Sequence, residues 1–143
     1  MKEYNIICQE EWNYCLCSVI QGIFNSYNLN LSQGEIANSL TPREKGFLVH
    51  DDGINRFFQD NGFSYTHYWW NQTPFNEPDS LLETKDDVIL GWNNHALLMN
   101  AFKNQEVIYL DPKDTIQKSL SYCDLMKNMY GSKDGFFGLV KRL

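Results

Sequence analysis

The sequence has no apolar run approaching the roughly 18 to 20 residues that a membrane span requires. Its first eight residues, Met1-Lys2-Glu3-Tyr4-Asn5-Ile6-Ile7-Cys8, lack the apolar stretch of a secretory signal. These absences make the cytoplasm the expected location, although secretion by another route would leave no trace here. Basic residues are few, 12 against 18 acidic, and the only adjacent basic pair is Lys141-Arg142. Nucleic-acid affinity depends on Lys and Arg neutralising phosphates, so a net charge of −6 argues against such a partner. Repeats, low-complexity stretches and long linkers are also missing. At 143 residues the chain is long enough for a real core and too short for two ordinary domains. Residues 1–143 are therefore expected to form one domain. An apolar content of 43% puts that domain among globular chains rather than disordered ones.

Four cysteines are present, Cys8, Cys15, Cys17 and Cys123. In a leaderless chain they read as reduced thiols rather than as two disulfides. Cys15-Leu16-Cys17 with distant Cys123 lacks the second pair, or the His at ligand spacing, of a zinc site. No metal or other cofactor is expected.

Leu16, Val19, Ile20, Ile23, Phe24 and Tyr27 recur at helical spacing, predicting a helix over about Asn13 to Tyr27 with Asn13 as its cap. Ser32-Gln33-Gly34-Glu35 has the pattern of a capping box, opening a short helix to Leu40 before Thr41-Pro42. Asp51 or Asp52 caps a third helix carrying Ile54, Phe57 and Phe58 and stopped by Asn61-Gly62. Strands are predicted at Phe63 to Trp70, Val88 to Trp92, Ala96 to Phe102, Val107 to Leu110 and Phe136 to Val140. A loop at Asn71 to Asp79, a turn at Lys103 to Gln105 and a helix at Ser121 to Tyr130 closed by Gly131 complete the reading. Helices first and antiparallel strands afterwards predict an α+β fold, with N-terminal helices packed on a C-terminal sheet.

A nucleophilic cysteine needs a thiolate, a base, a group to orient the base, and donors for the oxyanion. Cys15 falls in the first turn of the first helix, where free N–H groups and the helix dipole favour a negative sulfur. Helical geometry alone does not separate it from Cys17, and a buried structural cysteine is the ordinary alternative for either. Of the three histidines, His95 immediately precedes an apolar strand, and Asp111 ends the next one. With the turn at Lys103 to Gln105, the two lie opposite or one diagonal step apart on the same face. A carboxylate there can orient an imidazole. Asp111-Pro112 could equally open a turn. His50, beside Asp51 and Asp52, and His67, among aromatics, read as solvated or structural. Gln9 lies six residues before Cys15, where its amide could join the Cys15 N–H as a second oxyanion donor, though Gln21 and Gln33 look no different in isolation.

Taken together, Gln9, Cys15 on a hydrophobic helix, His95 and Asp111-Pro112 resemble the papain-like superfamily. The chain is most similar to the bacteriocin-processing peptidases, which remove double-glycine leaders. Gly91-Trp92-Asn93-Asn94-His95-Ala96-Leu97-Leu98 is similar to the histidine strand of that family, and Val107-Ile108-Tyr109-Leu110-Asp111-Pro112 to its aspartate strand. The closing helix and strand have counterparts in Tyr122 to Gly131 and Phe137 to Val140. The resemblance implies a stand-alone peptidase-like domain acting on a peptide or protein substrate. It further implies Cys15 as nucleophile, His95 as acid and base, Asp111 as its orienting group and Gln9 as oxyanion donor. Two features depart from the family. Tyr14-Cys15-Leu16-Cys17-Ser18 lacks the usual acidic residue before the nucleophile and the Gly after it, a change that bears on specificity. No transporter is expected alongside this domain, so cleavage of a double-glycine leader during export does not follow from the resemblance.

Three functions are compatible with these residues: a peptidase or amide hydrolase working through a Cys15 thioester, an acyltransferase using the same thioester, and a non-catalytic peptide-binding module. Trp69, Trp70 and Trp92 read either as walls of an apolar groove near His95 or as core.

Overall fold

The helical spacing of Leu16 to Phe24 is realised as α1 (Cys15–Asn25), whose residues Cys15 through Phe24 are all buried. The computed structural model describes residues 4–72 and 84–143. The polar side of α1 is covered as fully as its apolar stripe, because the preceding chain lies across it. Ser18 Oγ donates to the Ile7 carbonyl, and Gln21 Nε2 donates to the Leu31 carbonyl at 3.1 Å. The expected Asn13 cap is not formed. Tyr14 is the N-cap and makes no side-chain hydrogen bond to the helix, so the first turn keeps its free N–H groups.

The capping box predicted from Ser32 and Glu35 opens α2 (Gln33–Ser39), with both reciprocal bonds made at 3.0 and 3.2 Å. Asp51 caps α3 (Asp52–Asp60), its carboxylate accepting the Ile54 N–H at 3.0 Å. Between these helices lies a short hairpin absent from the sequence reading, β1 (Pro42–Arg43) with β2 (Gly46–Phe47). The last helix, α4 (Tyr122–Ser132), runs through Gly131 and closes on Lys133 at φ 62°.

Among the described residues six strands make one antiparallel sheet: β3 (Phe63–Trp69), β4 (Asp87–Trp92), β5 (His95–Lys103), β6 (Glu106–Leu110), β7 (Gln117–Ser121) and β8 (Phe136–Arg142). Their spatial order is β3-β8-β4-β5-β6-β7. The predicted first strand ends one residue early, at Trp69, and most of the predicted loop 71–79 lies outside the described residues. Ile89, Ala96 and Leu98 pack with α1, α2 and α3, whereas Val88, Leu90 and Leu97 pack with Leu125 and Met129 of α4. Both sheet faces are thus covered, which explains why Val88-Ile89-Leu90 and Ala96-Leu97-Leu98-Met99 are continuously apolar. The fold is α+β with N-terminal helices on an antiparallel sheet, as expected, and α4 adds cover on the opposite face.

Phe24 sits at the centre of the helical layer, its ring 4.9 Å from that of Phe63 and 5.7 Å from those of Phe57 and Phe58. Truncating such a buried ring to Ala costs about 3–5 kcal/mol. The N-terminal segment is tied to the sheet by Tyr4 and Tyr27, whose hydroxyls both donate to the buried Asp87 carboxylate. These bonds satisfy the polar atoms of a buried side chain.

Strands β5 and β6 meet through a two-residue turn, Asn104 and Gln105, rather than the predicted three. Both have positive φ, 54° and 64°, the handedness that matches the twist of a tight hairpin. A register shift between Met99 and Ala101 then leaves Leu98 paired with Leu110. Continuing that register sets Asp111 one diagonal step from His95.

Candidate active site

The Cys15 thiol lies at the first residue of α1, beside the start of β5. Its Sγ accepts the Ala96 N–H at 3.4 Å and donates toward the Asn94 carbonyl at 3.9 Å. The His95 side chain stands beside it and lines the same cleft. Burial alone would push the Cys15 thiol up. The neighbouring His95 imidazole and the N–H groups of Ala96 and Leu16 outweigh it and hold the thiol below its ordinary pKa. Cys17, two residues on, is fully buried, and burial pushes it up to about 12. All four cysteines are free thiols.

His95 is the first residue of β5. The Asn93-Asn94 turn before it has both residues at positive φ, 53° and 58°, a conformation that Asn tolerates better than most side chains. Asp134, between α4 and β8, holds that turn by accepting the Asn93 N–H at 3.0 Å and the Asn94 N–H at 2.9 Å. His95 Nε2 lies 2.7 Å from Asp111 Oδ1, which leaves Nδ1 as the nitrogen available to Cys15. The neighbouring Cys15, followed by the hydrogen bond to Asp111, raises the imidazole above its usual pKa despite partial burial.

Asp111 is itself held on both oxygens. Oδ1 also accepts the Lys113 N–H at 3.0 Å, and Oδ2 accepts from Lys118 Nζ at 3.0 Å. Burial would raise its carboxyl, but Lys113, His95 and Lys118 together bring it below the usual range. Lys118 continues to Asp114 Oδ2 at 2.8 Å.

The structure thus brings Cys15, His95 and Asp111 together at one cleft, with His95 bonded to Asp111, and it separates Cys15 from Cys17. Gln9 is nearby, since it lines a surface hollow with His95, Trp12 and Lys113. Its amide does not converge with the Cys15 N–H. Both Nε2 hydrogens are donated to backbone carbonyls, Glu11 at 3.0 Å and Trp12 at 2.9 Å. Its Oε1 is buried with no hydrogen-bond partner.

A narrow cleft opens over Cys15, walled by Leu16, Phe47, Trp69, Trp92 and Phe136. Trp69 and Trp92 thus line a groove while also packing on the core, whereas Trp70 packs edge-on against Tyr130 at 5.1 Å. His50 and His67 stand ring to ring at 4.7 Å behind the cleft, with His67 stacked on Phe136. Burial lowers His67 to about 4, so it serves as a neutral packing ring. Among the described residues no three His, Cys, Asp or Glu side chains cluster as a metal would need, and no helix is long and apolar enough to cross a membrane.

Lys118 and Asp134 escaped the sequence reading. Strand β7 was not recognised because its sequence, Gln117-Lys118-Ser119-Leu120-Ser121, shows little apolar alternation. Once β7 is placed, Lys118 pairs with Tyr109, two residues before Asp111.

No family model and no curated protein matches the sequence. Among solved structures the chain is similar to a double-glycine-motif protease from an AMS/PCAT transporter, crystallised with a leader peptide. The TM-score is 0.73 and the identity 17%, over 99% of this chain and 93% of that one. The peptidase domain of Streptococcus ComA, a bifunctional ABC transporter of a quorum-sensing pathway, gives 0.72 and 15%, covering 99% of this chain and all 100% of that one. The Streptococcus mutans ComA peptidase domain, with a small-molecule inhibitor, gives 0.58 and 14%, covering 96% and 99%. The chain has the papain-like fold of the peptidase domains found in double-glycine transporters.

Proposed function

We propose that this protein is a cysteine peptidase in which Cys15 is the nucleophile, His95 the acid and base, Asp111 the orienting carboxylate and Gln9 an oxyanion donor. One observation supports the reading: Cys15 and His95 line one cleft, and the Asp111 carboxylate holds the His95 ring with Nε2 to Oδ1 at 2.7 Å.

The lowered thiol and raised imidazole favour a thiolate–imidazolium pair. The thiolate attacks a peptide carbonyl, forming a C–S bond and moving the carbonyl electron pair onto oxygen. The Cys15 N–H, free in the first turn of α1, stabilises that oxyanion. Gln9 joins it by turning its amide away from the carbonyls of Glu11 and Trp12. His95 then gives its proton to the departing amine as the C–N bond breaks, leaving an acyl thioester and a neutral imidazole. Water attacks the thioester while His95 takes its proton. The carboxylic acid leaves, and the ion pair is restored.

The substrate we propose is a peptide with a double-glycine cleavage site, as in the leader-peptide complex of the similar transporter protease. The narrow cleft at Cys15, closed by Trp69, Trp92 and Phe136, suits small residues next to the scissile bond. The test is to incubate wild type and Cys15→Ala with a library of double-glycine peptides and analyse the products by mass spectrometry. Cleavage after the second glycine by wild type alone, with a hydroxylamine-trappable acyl-enzyme, is the expected result. Transfer of the acyl group to an added amine without net hydrolysis would replace the peptidase by an acyltransferase. Tight binding by both proteins without turnover would leave a peptide-binding module.

A further inference from the structure

Three glutamines, Gln9, Gln21 and Gln33, are indistinguishable in the sequence, yet the structure joins them. The Gln33 side chain is completely buried at the first position of α2, and Gln21 is 7% exposed on α1. Gln33 Oε1 accepts the Glu10 N–H at 2.9 Å. Its Nε2 shares two hydrogens among the Cys8 carbonyl at 3.1 Å, the Ile7 carbonyl at 3.3 Å and Gln21 Oε1 at 3.0 Å. Gln21 is anchored in turn by the Leu31 carbonyl.

Residues 8 and 10 are the two flanks of Gln9. One carboxamide that accepts from the N–H of residue 10 and donates to the carbonyl of residue 8 does what a neighbouring parallel strand would do there. The Gln9 N–H points to another partner, the Pro112 carbonyl at 2.9 Å, directly after Asp111. The backbone of Gln9 is therefore held between Gln33 and the aspartate loop. A buried amide costs about 1–3 kcal/mol unless its bonds are made, and apolar residues of similar size would fill the same space without that requirement. The network is directed at the backbone around Gln9.

We propose that Gln33, backed by Gln21, is a positioning residue for the oxyanion-binding amide of Gln9. It fixes the backbone of residues 8–10 so that only the Gln9 side-chain torsions change when the amide leaves Glu11 and Trp12. The inference rests on the catalytic reading of Cys15 and Gln9 given above.

Two reactions of the same sulfur separate positioning from simple folding. Alkylation by iodoacetamide forms a C–S bond with loss of iodide and develops no oxyanion. Addition to a peptide aldehyde ending in Gly-glycinal forms a hemithioacetal whose oxyanion needs the donors. Gln33→Met keeps the volume and removes the hydrogen bonds. In that variant we expect Cys15 alkylation within about twofold of wild type, with aldehyde affinity and kcat both falling about 10- to 100-fold. Gln9→Ala should lose aldehyde affinity at least as far. Gln21→Met, which removes only the support behind Gln33, should show the same pattern more weakly.

Wild-type aldehyde affinity and kcat in both Gln33→Met and Gln21→Met, with Gln9→Ala impaired, would overturn the positioning role and leave the catalytic reading intact. Parallel loss of alkylation and aldehyde binding in both variants would show a folding role alone and also overturn it. Unchanged aldehyde affinity in Gln9→Ala would overturn the oxyanion reading, and this inference with it.

Discussion

Lys118 Nζ lies 3.0 Å from Asp111 Oδ2, the carboxylate oxygen that His95 leaves free. The Asp111 carboxylate is therefore gripped from both sides, by imidazole on Oδ1 and ammonium on Oδ2. Lys118 is about one-third exposed, so the pair adds little to stability, and its effect is expected on the geometry and charge of the proposed triad. Lys118→Met is expected to lower kcat several-fold while leaving Tm within about 2 °C. Removing a positive charge disfavours the Cys15 thiolate and favours the His95 imidazolium. Both limbs of the pH–rate profile should then move to higher pH, and Lys118→Arg should restore them. Fixed limbs would show that Lys118 does not act on the triad.

The directions of the two central shifts set the shape of the pH profile. Cys15 titrates below the usual thiol range, so activity appears on the acid side as the thiolate forms. His95 titrates above the usual imidazole range, so activity is lost only as pH rises through that raised value and the proton for the leaving amine disappears. The two limbs belong to the coupled pair rather than to either residue. Asp111→Ala removes a negative charge that touches the imidazole directly, so both limbs should move down, the alkaline limb further than the acid one, which narrows the bell. Peptide mapping after brief iodoacetamide treatment at neutral pH should find Cys15 modified well ahead of Cys17, whose thiol stays protonated there.

Asp134 holds the turn before β5, the strand that begins at His95. Its carboxylate satisfies the N–H groups of Asn93 and Asn94, and the Asn94 carbonyl receives the Cys15 thiol. Asp134→Ala should raise amide exchange at residues 93 and 94 and reduce kcat about tenfold, because a small displacement of His95 is costly to catalysis. Burial raises the Asp134 carboxyl, but Ser132 and these two N–H groups outweigh it and bring it below the ordinary value. The turn contact is therefore complete above the unfolded carboxyl pKa and is lost as pH falls through the lower folded value. Hydrogen exchange measured from pH 6 downward should show the same two amides loosening together. Unaltered exchange in the variant would remove Asp134 from this role.

Gly91 on β4 is required by packing. A Cβ there would fall 2.0 Å from the Phe136 ring, which is itself stacked on His67 and forms a wall of the cleft. Gly91→Ala should destabilise the protein by about 1–3 kcal/mol in urea unfolding and raise KM by displacing that wall. Wild-type stability would mean that Phe136 moves aside freely.

Local chemistry and periodicity were legible in the sequence. The apolar stripe of α1, the capping box of Ser32 and Glu35, and the apolar runs of β4 and β5 each follow from side chains a few residues apart. The proximity of His95 and Asp111 was legible too, because hairpin register is a local property. The same approach failed for β7, whose polar residues carry little alternation, and for the Asn13 cap, which Tyr14 replaces without a side-chain bond. Tertiary structure decided which thiol meets the imidazole. Cys15 and Cys17 share one helix end, and only the docking of β5 against that end sets His95 beside Cys15 and bonds the Ala96 N–H to its sulfur. It also decided the supports at Lys118, Asp134 and Gln33. Each acts on a partner through hydrogen bonds that no helical or strand period encodes, and long-range packing alone brings their atoms within 3 Å or so.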